Sequence, residues 1–391
     1  MNRFAILAKK IVTPETIIPA GVVLVEDTRI LQVGPRNQVR FEEREFAVLH
    51  AEQQTLVPGF IDVHIHGGGG RDVMEGTREA VEVISGILAK HGTTSYLATT
   101  MTASPIATIQ AVERLGKLMV EGTGGARMVG LHLEGPFISE KKRGVHPPEH
   151  IRKPSTRIFD ELLKMSNHRV KLITLAPEIE GSLEFIENAR SKGVLVSMGH
   201  SNATFEEAMR AIDAGVSHAT HTFNAMRDFN HREPGILGAV LADQSVWAEI
   251  IADGVHVDPV AVNILLKCKG VKKILLITDA ISATEMPDGQ YQLGSLTVLV
   301  SKGVCRVAEG QLAGSTLTQD RALQNMMRWT GLPLEEAVYM ATQNPAQAVG
   351  IEKQKGSVQP GYDADLVLLE DDLRVHATLR EGKVVYRSAK P

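Results

Sequence analysis

Eight short apolar runs recur between residues 60 and 279, with helix-like stretches in the gaps, and this alternation limits the chain to few folds. The runs are FIDVHIH (60–66), TTSYLATT (93–100), MVGLHLE (128–134), KLITLAP (171–177), VLVSMGH (194–200), SHATHT (217–222), AEIIAD (248–253) and ILLITD (274–279). Between them, stretches such as REAVEVISGILAK (78–90) and FEEAMRAIDA (205–214) place apolar residues at helical spacing. Alternating strands and helices predict an α/β fold with a parallel sheet. Eight strands match a TIM-like (β/α)8 barrel, for which about 250 residues is typical. A doubly wound open sheet is the alternative, but no G-x-G-x-x-G follows the first run. The GGGG at 67–70 lacks the Lys-Ser/Thr ending of a phosphate loop and reads as a turn.

The two ends differ from the middle. FAILAKKIV and GVVLVEDTRILQVG near the start, and ADLVLLE and LRVHATLREGKVVYR near the end, are β-branched runs broken by Gly, Asp and Pro. Neither end is long enough to be stable alone. They are expected to pair as one small β-sandwich domain, residues 1–55 plus 358–391, beside a barrel of 56–357. A balance of 42 basic against 46 acidic residues argues against nucleic-acid binding. No run approaches the roughly 18 apolar residues of a membrane span. Charges and a proline in MNRFAILAKKIVTPE argue against a signal peptide. Cys268 and Cys305 cannot build a disulfide framework, so a cytoplasmic location is expected.

Chemistry gathers where the runs end. The first ends in His64-Ile65-His66, the third in Glu134, the fifth in His200, the sixth in His221 and the eighth in Asp279. In a barrel these ends converge on one mouth. Alternate strand residues share a side, so His64 and His66 both face the axis. Four imidazoles and two carboxylates around one opening need a cation to offset their burial, and they suit divalent Zn, Fe, Mn or Co. Such a cation makes the reaction class metal-assisted hydrolysis of an amide or related C–N bond, with Asp279 as proton carrier. His132 is expected one layer deeper, orienting a ligand. His218 is read as structural, and His50, His91, His150, His168 and His376 as surface or packing residues.

LVPGFIDVHIHGGGG (56–70) and KGSVQPGYDADLVLL (355–369) resemble the opening and closing signatures of the amidohydrolase superfamily. HLEGPF (132–137), KRGVHP (142–147), MGHSNAT (198–204), THTFNAM (220–226), HREPG (231–235), ADGVH (252–256), TDA (278–280) and LAGSTLT (312–318) narrow the resemblance to the N-acetylglucosamine-6-phosphate deacetylase family, nearly end to end. That resemblance implies metal-dependent deacetylation of N-acetyl-D-glucosamine 6-phosphate to D-glucosamine 6-phosphate and acetate. It makes Glu134, His200 and His221 ligands of one metal, with His64 and His66 completing a second site, so one or two metals per subunit are implied. Many barrel relatives use a carbamylated lysine on strand four; LAPE offers none here.

The same resemblance makes Asp279 the general base and acid, acting on a metal-bound water that attacks the acetamide carbonyl. His146 would contact the carbonyl oxygen. Asn224, the Ala225 backbone, Arg232 and His256 would bind the phosphate, and Leu312, Ala313 and Gly314, with Ser315, would lie near the sugar ring. A homodimer with active sites near the interface is implied, so that Arg232 acts within its own chain or across to the next. Dihydroorotase-like and D-amino-acid-deacylase-like readings lack HLEGPF and HREPG, and the motifs leave the galactosamine epimer open. A catalytically silent scaffold is expected to lose ligands or Asp279, and none is lost.

Overall fold

The computed structural model describes residues 3–14 and 16–389. Strands β1 (Arg3–Val12), β2 (Ile17–Glu26), β3 (Arg29–Pro35) and β4 (Ala47–Pro58) open the chain. The barrel follows as β5 (Phe60–Ile65), β6 (Thr93–Thr100), β7 (Arg127–Glu134), β8 (Val170–Leu175), β9 (Leu195–Met198), β10 (His218–Ala219), β11 (Trp247–Ile251) and β12 (Ile274–Ile277). These eight are parallel and ordered as in the sequence. The ring closes where the Asp279 N–H donates to the His64 carbonyl (2.9 Å) and the His66 N–H to the Ala280 carbonyl (2.8 Å). Asp62, fully buried on β5, reinforces that seam by accepting the Thr278 hydroxyl at 2.6 Å.

Helices cover the barrel outside, among them α1 (Arg78–Lys90), α2 (Pro105–Glu121) and α3 (Phe205–Ala214). Each begins with a hydroxyl cap: Thr77, Ser104 and Thr204 accept the backbone N–H of the third helical residue. The strands are β-branched and buried along nearly their whole length, as both faces of a covered parallel sheet require.

After β12 a small antiparallel sheet stands on the barrel: β13 (Gly289–Leu293), β14 (Leu296–Ser301) and β15 (Val304–Arg306). It was not anticipated from sequence. Its underside, Leu293, Val298, Val300 and Cys305, packs on Met101, Ile281 and Ala313. The Gly294 N–H donates to buried Asp72 (2.9 Å), fastening the sheet to the loop after β5.

The chain ends in β16 (Leu366–Leu369), β17 (Val375–Arg380) and β18 (Lys383–Arg387). These join the opening strands in one seven-stranded sheet, ordered β18-β17-β16-β4-β1-β2-β3, so both termini build the small β domain as expected. Alternate residues of β1 feed opposite faces: Ile6 and Ala8 join one apolar cluster, Ala5 and Leu7 another. The Thr378 hydroxyl donates to the Ala89 carbonyl at 2.7 Å, tying this sheet to the end of α1.

Candidate active site

β5 and β7 carry His64 and Glu134 within the strands, while His200, His221 and Asp279 each lie two residues past the last strand residue. These three have φ of 47°, 29° and 49°. A side chain in the left-handed region costs about 1–2 kcal/mol, a cost seen mainly where the surrounding structure holds a functional group in place. Here the turn brings each side chain back over the axis, buried at the mouth.

The ligand-type atoms form two groups: His64, His66 and Asp279, and Glu134, His200 and His221. In the second group, Glu134 Oε1 is 3.1 Å from both His200 Nε2 and His221 Nε2, and the two nitrogens are 3.0 Å apart. In the first, His66 Nε2 is 3.3 Å from His64 Nε2 and 3.3 Å from Asp279 Oδ1. Glu134 links the groups, its Oε2 lying 3.2 Å from His66 Nε2.

Tautomers test whether a cation fits. His200 Nδ1 faces the Lys142 carbonyl (3.0 Å) and His66 Nδ1 the Thr99 carbonyl (3.2 Å). A carbonyl only accepts, so these nitrogens carry the proton and a neutral ring aims its Nε2 lone pair inward. Lone pairs about 3 Å from a carboxylate oxygen repel it unless a cation lies between. Atoms on a tetrahedral cation with bonds of about 2.0–2.1 Å stand about 3.3 Å apart, close to the spacings found. The donor set therefore fits a divalent metal in either group. His146 is the reverse: the Thr102 N–H donates to its Nδ1 (3.3 Å), so Nε2 bears the proton and is a donor.

The titration behaviour follows. Burial, then the charge of His146, holds the His200 imidazole down at about 4. Burial opposes charge on His66, but with no cation bound the contacts with Asp279 and Glu134 outweigh it and carry it to about 9, a proton that a metal on Nε2 would displace. Burial likewise favours the neutral acid at Asp279, yet the His66 contact and the charges of His64 and His66 hold it at about 2. At Asp62 burial outweighs the bonds from Thr278 and the charge of His64 and pushes the carboxyl up to about 6.

A cavity of about 200 Å³ opens over these groups. Its wall includes His66, Glu134, His146, His200, His221, Asn224, Ala225, His256, Asp279, Leu312 and Gly314 from the sequence reading. His256 is oriented by Asp253, its Nδ1 2.7 Å from Oδ2. Two expected residues stand apart. Ala313 is buried under β15, its N–H donating to the Cys305 carbonyl (3.2 Å). Arg232 is exposed and does not line the cavity of its own chain.

The amidohydrolase family profile matches residues 55–385. The chain belongs to the amidohydrolase family. Within it, the chain groups with N-acetylglucosamine-6-phosphate deacetylases. One such enzyme from Lysinibacillus sphaericus is 38% identical over 362 residues, 93% of this chain and 92% of that one. An N-acetylgalactosamine-6-phosphate deacetylase from Escherichia coli O157:H7 is 40% identical over 339 residues, covering 86% and 89%. The crystal structure of the N-acetyl-D-glucosamine-6-phosphate deacetylase from Mycobacterium smegmatis superposes with a TM-score of 0.92 at 35% identity, covering 98% of this chain and 100% of that one.

This amidohydrolase also holds residues that sequence reasoning passed over. Thr174 on β8 is 2.8 Å from His132 Nε2 and 2.8 Å from Thr220 Oγ1. His132 thus sits beneath the site, its ring 4.7 Å from that of His64, and burial holds it neutral. Met101 and Leu293 give the cavity an apolar wall. Glu249, fully buried on β11, contacts His64 Nδ1 at 3.1 Å. Its only signal was one acidic residue inside WAEII.

Proposed function

We propose that this amidohydrolase removes the acetyl group of N-acetyl-D-glucosamine 6-phosphate, giving D-glucosamine 6-phosphate and acetate. The observation that carries the reading is one cavity walled by His66 and Asp279 of one ligand group, all three residues of the other, a donor histidine at 146 and the Asn224–Ala225–His256 edge. Glu134, His200 and His221 would hold one divalent cation, and His64 and His66 would hold a second, with Zn, Fe, Mn and Co all compatible with the donors. When bound, the cation polarises the amide carbonyl and lowers the pKa of water.

Asp279, a carboxylate at neutral pH, takes a proton from the attacking water. It returns that proton to the sugar nitrogen as the C–N bond breaks. His146 Nε2–H donates to the carbonyl oxygen as negative charge develops there. The Asn224 amide, the Ala225 backbone and the His256 imidazole face the phosphate, and Leu312 to Gly314 border the sugar. Exposed Arg232 would reach the phosphate of a neighbouring copy in a homodimer; its planar fork of donors suits that anion. Two unpaired cysteines, Cys268 and Cys305, favour a reducing, cytoplasmic setting.

The galactosamine epimer is the second reading, favoured by the 40% identity to the Escherichia coli O157:H7 enzyme. The test is acetate release from both 6-phosphates, before and after chelation and metal restoration. Metal-dependent release from the glucosamine substrate supports the proposal. Release from neither, with metal bound, rejects it. Mixing Arg232→Ala with Asp279→Asn chains tests the dimer: activity regained in the mixture is expected, and no recovery overturns action across chains.

A further inference from the structure

We propose that Glu249 is a positioning residue that sets occupancy of the cation position formed by His64, His66 and Asp279. The inference rests on the metal reading above and adds to it a residue that touches neither substrate nor cation.

Glu249 lies in mid-strand on β11, fully buried between Ala248 and Ile250, which are buried as well. A carboxylate in such surroundings is costly unless bonded. Among the described residues its ion-pair partner is His64 rather than a lysine or arginine. His64 Nδ1–H donates to Oε2 at 3.1 Å, and the His221 N–H donates to the same oxygen at 3.2 Å. One oxygen therefore holds a histidine from each ligand group.

At His64 the contact fixes the proton on Nδ1, which leaves the Nε2 lone pair facing His66, Glu134 and Asp279 at 3.3, 3.5 and 3.7 Å. A carboxylate behind a ligating imidazole both orients the ring and makes it a stronger donor. At His221 the contact is to the backbone, where φ is 29°. It supports the turn without choosing the ring's tautomer. The two ligand groups should thus depend on Glu249 unequally, with the His64 group depending on it more.

The experiment is a Co²⁺ titration of chelator-treated wild type, E249Q and E249V, read by calorimetry, by metal content per chain and by the visible Co²⁺ spectrum. E249Q keeps an acceptor oxygen but not the charge; E249V removes both with a residue suited to a strand. The expected result is two cations on wild type. E249V should weaken one of them by about 10- to 100-fold, with E249Q falling between. The tighter cation should stay within about threefold in both. Both variants binding both cations within twofold of wild type overturns the assignment. So does equal loss of both cations from variants that melt like wild type, or a single cation on wild type. If E249V does not fold, E249Q alone decides by the same readings. Wild type binding no cation rejects the metal reading itself, a failure separate from that of Glu249.

Discussion

What lies behind an imidazole decides what it offers in front. His66 and His200 back onto carbonyls and His64 onto a carboxylate, so they present lone pairs. His146 backs onto a peptide N–H and presents a proton. The same side chain is thereby divided into lone-pair acceptors and a proton donor within one site. Replacing Asp279 by Asn keeps the shape and removes the proton carrier. Turnover should fall by about 10²- to 10⁴-fold with the Glu134-group metal retained; a near-normal rate rejects the acid/base role. Glu134→Ala breaks the link between both groups, so elemental analysis should find chains that lose metal, and unchanged content rejects the ligand assignment.

Strand ends do the positioning. β9 and β10 stop short of His200 and His221, and the turn beyond β9 passes through Gly199, where an added Cβ would stand 2.6 Å from Thr220 Cβ. Gly199 has no positive φ to explain it; the constraint is the close approach of two strands. Gly199→Ala should push β9 from β10 and displace His200, at a cost of about 1–3 kcal/mol. The expected outcome is a folded chain with a lower Tm and weaker metal binding, and a wild-type Co²⁺ titration contradicts it. The sheet β13–β15 acts differently, lending Leu293 to the cavity wall. Its strands were missed because QYQLGSLTVLVSKGVCRV is half polar, as a sheet with one wet face must be.

At the scale of the molecule, a closed barrel buries titratable groups far from the mouth as well. Burial, then the charge of Lys273, pushes His218 down to about 3. Between its usual value of about 6.5 and that value, the unfolded chain takes up a proton and the folded chain does not. Stability is therefore lost as the pH falls through this window and is complete above it. Thermal melts from pH 7 to pH 4 should show a declining Tm. His218→Leu should decline less steeply, and parallel slopes would remove His218 from the account. The terminal sheet braces the ring: Arg380 Nη1 donates to the Thr123 and Gly125 carbonyls at 3.0 and 2.7 Å, closing the loop before β7 from outside.

The amino-acid order alone settled the alternation of strand and helix, the pairing of the two termini and the six ligand-type residues at strand ends, because each depends on local period or on residue type. Tertiary structure decided the rest. WAEII reads as any buried strand until the barrel closes and sets Glu249 behind His64, two strands away around the ring. HREPG reads as a phosphate motif, yet the fold leaves Arg232 outside its own cavity. Proton positions on the histidines were invisible for the same reason. A ring nitrogen's role is set by the backbone group that packs against it, and that neighbour is chosen by how distant strands meet.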